Sequence, residues 1–265
     1  MEDQSVIVKL GGSMTQNTDI LRALAREIAA LRDAAGDIRR VAVVHGGGSD
    51  VSALSRRLGL EPSFRDGIRM TSEAEMDVVD MVLAGLVNKR VVRAFGGAVL
   101  PAVGISGADG NVLVGTPVTD AEGSPSRTAH VSRTETRLVA QLWELGYVPV
   151  IASPATDGNG LAVNINADEA AFSIGAALGA GTIAFFSDVP GVLVDNTPVS
   201  NLTLEEAERL IASQVITGGM VAKIRSIGQA IAAGVGRVVV GTYGRPGDLQ
   251  RLVAGEIGTT VHEAR

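Results

Sequence analysis

Two glycine turns and two lysines carry most of the chemistry available to this sequence. The run Val6-Ile7-Val8-Lys9-Leu10 is apolar except at Lys9, and Gly11-Gly12-Ser13 follows it before an amphipathic pattern begins near Ile20. A strand, a bare turn and a helix start form an anion site. Glycines let backbone N–H groups come close to a ligand, and the helix start adds partial positive charge. Lys9 adds a full charge at the carboxyl end of the strand, where an open α/β sheet binds phosphate. The same residues would also serve as an ordinary turn with a surface lysine. A second turn of this kind, His45-Gly46-Gly47-Gly48-Ser49, follows Val41-Ala42-Val43-Val44. If the two strands are parallel neighbours, both turns open on one cavity. His45 itself reads as a packed, backbone-bonded histidine in preference to a base. Lys223, on the first turn of a helix after Gly219-Met220, opposes the helix dipole unless it shares an anion, and is a ligand candidate.

Three further clusters hold polar side chains. Asn164, Asn166 and Asp168 share one face if their segment is a strand, although Asp168 could instead cap the alanine-rich helix that follows to about Leu178. Arg69, within Arg65-Asp66-Gly67-Ile68-Arg69-Met70-Thr71, can present a fork to a carboxylate or remain solvated. Ser187-Asp188-Val189-Pro190-Gly191-Val192 follows the apolar run ending at Phe186, again placing polar groups at the carboxyl end of a strand. Neither glycine turn matches G-x-x-x-x-G-K-[ST], and Val51 stands where G-x-G-x-x-G needs its third glycine, which disfavours a dinucleotide oxidoreductase.

The elements that must position these residues alternate between strand and helix patterns. Helices are expected over about Asp19–Ala35, through Val51, Leu54 and Leu58, over Glu73 to about Phe95 with Met76, Val79, Leu83 and Val87 inward, and over Thr134–Leu145. A Thr203/Glu206 capping box opens another over Leu204–Ala212. Tyr147–Ile151 and Arg237–Gly241 read as core strands, and Gly258–Val261 as the strand that closes the sheet edge. Thr116–Arg133 reads as polar loops, either a hairpin flap over a substrate or a mobile loop. The chain has 265 residues, 46% of them hydrophobic, enough for one large domain or two lobes. A net charge of −6 offers no field for nucleic acid or an anionic membrane. With no cysteine and only His45, His130 and His262, a thiolate site or histidine metal cluster is not expected. No apolar run is long enough to span a bilayer, and MEDQSV lacks the features of a signal, so the expected location is cytoplasmic.

Taken together, Lys9-Leu10-Gly11-Gly12, His45-Gly46-Gly47-Gly48, Gly67-Ile68-Arg69-Met70-Thr71, Met81-Val82-Leu83-Ala84-Gly85 with Asn88-Lys89, Asn164-Ile165-Asn166-Ala167-Asp168, Ser187-Asp188-Val189-Pro190-Gly191 and Gly219-Met220 with Lys223 resemble the amino acid kinase family. The motifs follow the family's order over nearly the whole chain. The resemblance implies an α/β fold, a three-layer αβα sandwich with a central, mainly parallel open sheet. It implies one domain of two lobes, with residues 1–178 binding an acyl amino acid and residues 179–265 binding a nucleotide. It also implies ATP-dependent phosphorylation of the side-chain carboxylate of N-acetyl-L-glutamate, in arginine synthesis. By the family pattern Lys9 and Lys223 contact the transferring phosphoryl from opposite sides, Gly11, Gly12 and Gly47 hold its oxygens, and Asp168 anchors both lysines. Arg69 and Asn164 bind the substrate's α-carboxylate end, with Gly47 and Gly48 near its other groups. Asp188, Val189, Pro190, Gly191, Val192, Leu193, Val215, Ile216, Thr217, Gly219 and Met220 line ATP, whose Mg²⁺ is held mainly by phosphates and water.

Two other readings share the fold. One is a kinase acting on aminoadipate attached to a small acidic carrier protein, disfavoured by the net negative charge and the short segment before Arg69. The other is a non-catalytic amino-acid sensor, disfavoured by intact Lys9, Asp168 and Lys223. His130-Val131-Ser132 and Gly218 depart from the family pattern, at the substrate flap and the nucleotide loop. With eight residues before Lys9, too few for a linking helix, the expected assembly is a homodimer insensitive to arginine.

Overall fold

The computed structural model describes residues 5–33, 40–65, 67–119, 123, 125–195 and 197–263. Its strands are β1 (Val6–Leu10), β2 (Val41–His45), β3 (Ser63–Arg65), β4 (Ile68–Met70), β5 (Ala102–Ser106), β6 (Leu113–Thr119), β7 (Pro125–Thr134), β8 (Val148–Ala152), β9 (Pro154–Asp157), β10 (Ala162–Ile165), β11 (Thr182–Phe186), β12 (Leu193–Val194), β13 (Thr197–Pro198), β14 (Asn201–Thr203), β15 (Arg237–Gly241) and β16 (Thr259–His262). The helices are α1 (Thr18–Asp33), α2 (Gly48–Arg57), α3 (Glu73–Asp80), α4 (Asn88–Gly96), α5 (Arg137–Glu144), α6 (Ala167–Leu178), α7 (Leu204–Ala212), α8 (Gly219–Ala232) and α9 (Asp248–Val253). A π-helical turn, Met81–Val87, joins α3 to α4.

Eight strands form one sheet in the order β14-β16-β15-β11-β1-β2-β8-β5. All neighbours are parallel except β15 and β16. Alternation along the strands sorts their side chains between two cores. Val6, Val8, Leu10, Val41 and Val43 pack with Leu21 and Leu24 of α1, Phe95 of α4 and Leu252 of α9. Ile7, Ala42, Val44, Ile183 and Phe185 pack on the other side with Phe172 of α6 and Ile224 of α8. This is the expected αβα sandwich around a mainly parallel open sheet. Lys9 shares its face with Ile7, so its side chain emerges on the side covered by α6 and α8.

Several expectations need correction. The described residues of Thr116–Arg133 are mostly strand and not loop, and of the two alternatives they take the hairpin: β6 and β7 pair antiparallel and join β9 and β10 in a small closed sheet. Gly258–Val261 does not close the sheet edge: β16 lies inside the sheet and the edge is β14, too short to show a period. The single helix over Glu73–Phe95 is broken by the π turn, although Met76, Val79, Leu83 and Val87 are all buried as expected. Val87 and Val91 belong to different cores, so the inserted turn marks where the helix passes from one to the other. Asn164, Asn166 and Asp168 do not share a strand face, because β10 ends at Ile165 and Asn166 caps α6 by accepting from the Asp168 N–H at 2.8 Å. Lys223 is the fifth residue of α8, just past the first turn on which it was expected. The Thr203/Glu206 capping box is present. Ala35, the expected end of the first helix, and Asp66 of the arginine segment lie outside the described residues.

Candidate active site

The carboxyl ends of β11, β1, β2 and β8 stand side by side, with β1 between the chain's two halves. Lys9, the last residue but one of β1, stands opposite Phe185 of β11. The Nζ atoms of Lys9 and Lys223 each lie 4.4 Å from the centroid of the Phe185 ring, so the two cations are no more than twice that distance apart. The covering helices explain the meeting: α6 and α8 pack on one another over this face, and both begin at this edge. Lys9 pairs with Asp168 on the first turn of α6 at 2.7 Å. Lys223 donates to Ser187 Oγ at 3.1 Å and has no carboxylate within ion-pair distance among the described residues. Asp168 therefore anchors Lys9 directly and reaches Lys223 only through space. Burial pushes the Lys223 ammonium below the usual lysine range; Asp168 opposes that shift, Lys9 adds to it, and Asp188 opposes it. Two cations against one paired carboxylate, ringed by helix N-termini, make a seat that an anion would complete.

The adjoining turns frame this seat. Gly12 is exposed with open space where a side chain would project. Ser13 Oγ donates to Asp188 Oδ1 at 3.2 Å, tying the turn after β1 to the turn after β11. Of the residues expected around a nucleotide, Asp188, Pro190, Leu193, Val215, Thr217 and Gly219 are exposed, whereas the Val192 and Ile216 side chains are buried in the core. Those two can reach a ligand only by backbone. Val189 and Met220 are half-buried, and Gly191 is buried against Thr259. Gly218 has φ +60°, a conformation that would strain the acidic side chain of the family pattern, so its glycine fits the loop. As to fit, ammonium groups and exposed glycine N–H groups suit phosphate oxygens. Asp188 is the exposed carboxylate at this edge, and Mg²⁺ usually keeps waters and substrate phosphates as ligands.

On the far side of β1 lies a cleft of about 190 Å³. Gly47, Gly48, Arg69 and Asn164 all line it, with apolar Val51, Val79, Leu83 and Ile165. Gly47 has φ +157°, and a Cβ there would meet Leu83 Cδ2 and Val87 Cγ2 at 3.0 Å. The turn thus packs directly on the π-helical segment. Gly48, Ser52 and Ser55 recur at helical spacing on α2 and face Arg69 and Glu75. Arg69 Nη1 pairs with Glu75 Oε1 at 2.6 Å, and Nη2 donates to Gly48 O at 3.0 Å and Ser52 Oγ at 2.5 Å. Ser55 Oγ donates to the same Glu75 oxygen at 3.1 Å. The fork expected of Arg69 is therefore formed on its own chain; of its five N–H donors, three are used and two remain for a ligand. Asn164 Nδ2 donates to Thr71 Oγ1 at 2.9 Å, leaving its carbonyl oxygen for the cleft. On the hairpin, Glu169 accepts from the Val131 N–H at 2.6 Å and lies 3.1 Å from His130 Nδ1, so the unusual segment is tied to α6 beside Asp168.

His45 holds the glycine turn in place. Its Nδ1 lies 2.9 Å from Gly46 O, which can only accept, so this nitrogen carries the proton. Nε2 accepts from Asn88 Nδ2 at 3.1 Å; that amide also donates to Val150 O at 2.9 Å, which fixes its orientation. Burial holds the imidazole's pKa down to about 4 from 6.5; the Gly46 bond opposes this and the Lys89 charge adds to it. The unfolded chain takes up this proton below pH 6.5 and the folded chain does not until about pH 4. The stability from neutral His45 is thus complete above pH 6.5 and lost as pH falls toward 4, by roughly 3 kcal/mol in all. Urea midpoints should fall between pH 7 and pH 5, and His45→Gln should flatten that slope. An unchanged slope in the variant would place the titration elsewhere.

Residues 4–242 match the Amino acid kinase family. The chain belongs to that family. An acetylglutamate kinase of Rubrobacter xylanophilus is 40% identical over 265 residues, covering 98% of each chain. One of Geobacillus kaustophilus is 37% identical over 240 residues, covering 89% of each. The crystal structure of smu.665 from Streptococcus mutans covers 100% of both chains with a TM-score of 0.80 at 25% identity. Within this amino acid kinase, sequence reasoning overlooked Phe185, the ring beneath both lysines, and Ser187, the partner of Lys223. It also overlooked Glu75. The spacing Ser72-x-x-Glu75 was a signal: it reads as a capping box, and Ser72 does accept from the Glu75 N–H, but the Glu75 carboxylate turns to Arg69.

Proposed function

We propose that this amino acid kinase phosphorylates the side-chain carboxylate of N-acetyl-L-glutamate with ATP, a step of arginine synthesis. The observation that carries this reading is an adjacency. Ala167 lines the cleft, and the next residue, Asp168, holds Lys9 at the two-lysine seat. A carboxylate reaching out of the cleft therefore arrives where positive charge is concentrated. Phosphorylating a carboxylate brings two anions together, so charge screening and alignment are what the protein must provide. Lys9 and Lys223 supply the screening, and the N–H groups of Gly11, Gly12 and Gly47 supply donors for phosphoryl oxygens. Bound MgATP supplies the phosphoryl group together with the cation that accompanies it. The substrate oxygen forms the bond to phosphorus as the bond to the ADP oxygen breaks. A carboxylate is already ionised, so the chain need not provide a base.

The division of labour follows the sheet. Residues 1–178 hold the acyl amino acid through Gly48, Arg69 and Asn164, and residues 179–265 hold the nucleotide through the loops after β11 and before α8. The assembly is a cytoplasmic homodimer, by likeness to the family. Light scattering should give twice the 27.2 kDa chain mass, and any other mass would contradict it. The reaction is tested by hydroxylamine trapping with ATP and Mg²⁺, comparing N-acetylglutamate, N-succinylglutamate, N-acetylaminoadipate, glutamate and carrier-linked aminoadipate. N-acetylglutamate should give hydroxamate. Product from the carrier-linked compound alone would overturn the proposal.

A further inference from the structure

Ser153 follows β8 directly, and Ala152 before it pairs in register with His45. It therefore stands beside the Gly46–Gly48 turn, one strand further from Lys9 than that turn is. The residue is 1% exposed and lines the cleft, and its hydroxyl has no hydrogen-bond partner among the described residues. The other polar side chains of this wall each have a partner within the chain. Thr128 Oγ1 donates to Arg69 O at 2.6 Å and accepts from the Thr71 N–H at 2.8 Å. Arg69 is pinned by Glu75, Gly48 and Ser52, and Asn164 by Thr71.

We propose that Ser153 is a further substrate-binding residue, whose hydroxyl donates to an oxygen of the bound acyl amino acid at the end remote from the transferred phosphoryl. This rests on the function proposed above. Buried hydroxyls are normally paired, and one left at the wall of a cleft is paired by what fills the cleft. The ligand's chemistry follows from what surrounds it. Val51, Val79 and Leu83 are apolar, and the buried carboxylate nearby, Glu75, is committed to Arg69 and Ser55, so an ammonium would find no counter-charge here. A neutral acylated nitrogen suits this site: the free Asn164 oxygen accepts its N–H, and Ser153 donates to an oxygen of the same end.

The test is steady-state kinetics of Ser153→Ala with N-acetylglutamate and ATP, together with thermal midpoints. The KM for the acyl amino acid should rise about fivefold, as for one lost neutral hydrogen bond, with kcat and the KM for ATP unchanged. The thermal midpoint should hold or rise, because no protein partner is lost. An active wild type with an unchanged KM in the variant would overturn this inference alone. A wild type silent on every acyl amino acid would overturn the proposed function and this inference with it. A lowered midpoint with unchanged KM would make Ser153 a packing residue and equally overturn the inference.

Discussion

Lys9→Met is expected to lower kcat on the order of a hundredfold or more while leaving the KM for the acyl amino acid nearly unchanged. The reason is geometric. Lys9 stands outside the cleft that holds the substrate's remote end, over the Phe185 ring that it shares with Lys223, and its charge matters most as charge builds on the transferring phosphoryl. An interaction made mainly in the transition state appears in kcat. The loss of the Lys9–Asp168 pair should cost little stability, because the Asp168 side chain is 34% exposed and water can solvate it. A second signature separates this role from a structural one. Lys9 helps to hold the Lys223 ammonium below the lysine range, so removing Lys9 should move any alkaline limb set by Lys223 to higher pH. Lys223→Met should depress kcat comparably. Near-normal kcat in either variant would remove the two-lysine seat from the reaction.

Glu75→Ala should be the most destabilising single change near the cleft. Its carboxylate and the Arg69 guanidinium are 4% and 7% exposed, so removing one leaves the other buried and unpaired. Breaking such a pair typically costs about 3–5 kcal/mol. For a domain of this size that is a fall in Tm of roughly 10 °C. Arg69→Ala should cost a similar amount, because it strands Glu75. The double variant Arg69→Met with Glu75→Leu should recover much of the stability, since apolar side chains of similar volume replace a buried pair at little cost. It should not recover substrate binding: the KM for N-acetylglutamate should stay high with the KM for ATP intact. Full recovery of that KM in the double variant would show that Arg69 serves only the fold.

What the sequence disclosed was whatever depends on neighbours along the chain. Val6–Leu10 and Val41–His45 are apolar runs ended by glycine, and pairing them in parallel was enough to bring the Gly11 and Gly47 turns together. The candidate residues Gly47, Gly48, Arg69 and Asn164 gathered in one cleft from three separate segments. Contacts chosen by tertiary packing stayed hidden. Nothing local says that Glu75 turns from its cap to Arg69, or that Lys223 finds Ser187 in place of Asp168. The π turn adds one residue to a helix, a shift too small to disturb the apolar stripe from Met76 to Val87, yet Gly47 packs against it. The strand expected through Asp168 stopped at Ile165 because Asn166 is a better cap than a strand residue.

In the proposed function this site moves a phosphoryl group from ATP to the carboxylate of an acylated glutamate. Phosphorus NMR of the enzyme with ATP, Mg²⁺ and N-acetyl-L-glutamate tests it most directly. An acyl-phosphate resonance and ADP should grow in equal amounts, the acyl-phosphate resonance should vanish on adding hydroxylamine, and neither should form with Lys9→Met on the same timescale. Release of inorganic phosphate without an acyl phosphate, or undiminished ATP beside bound N-acetylglutamate, would contradict it.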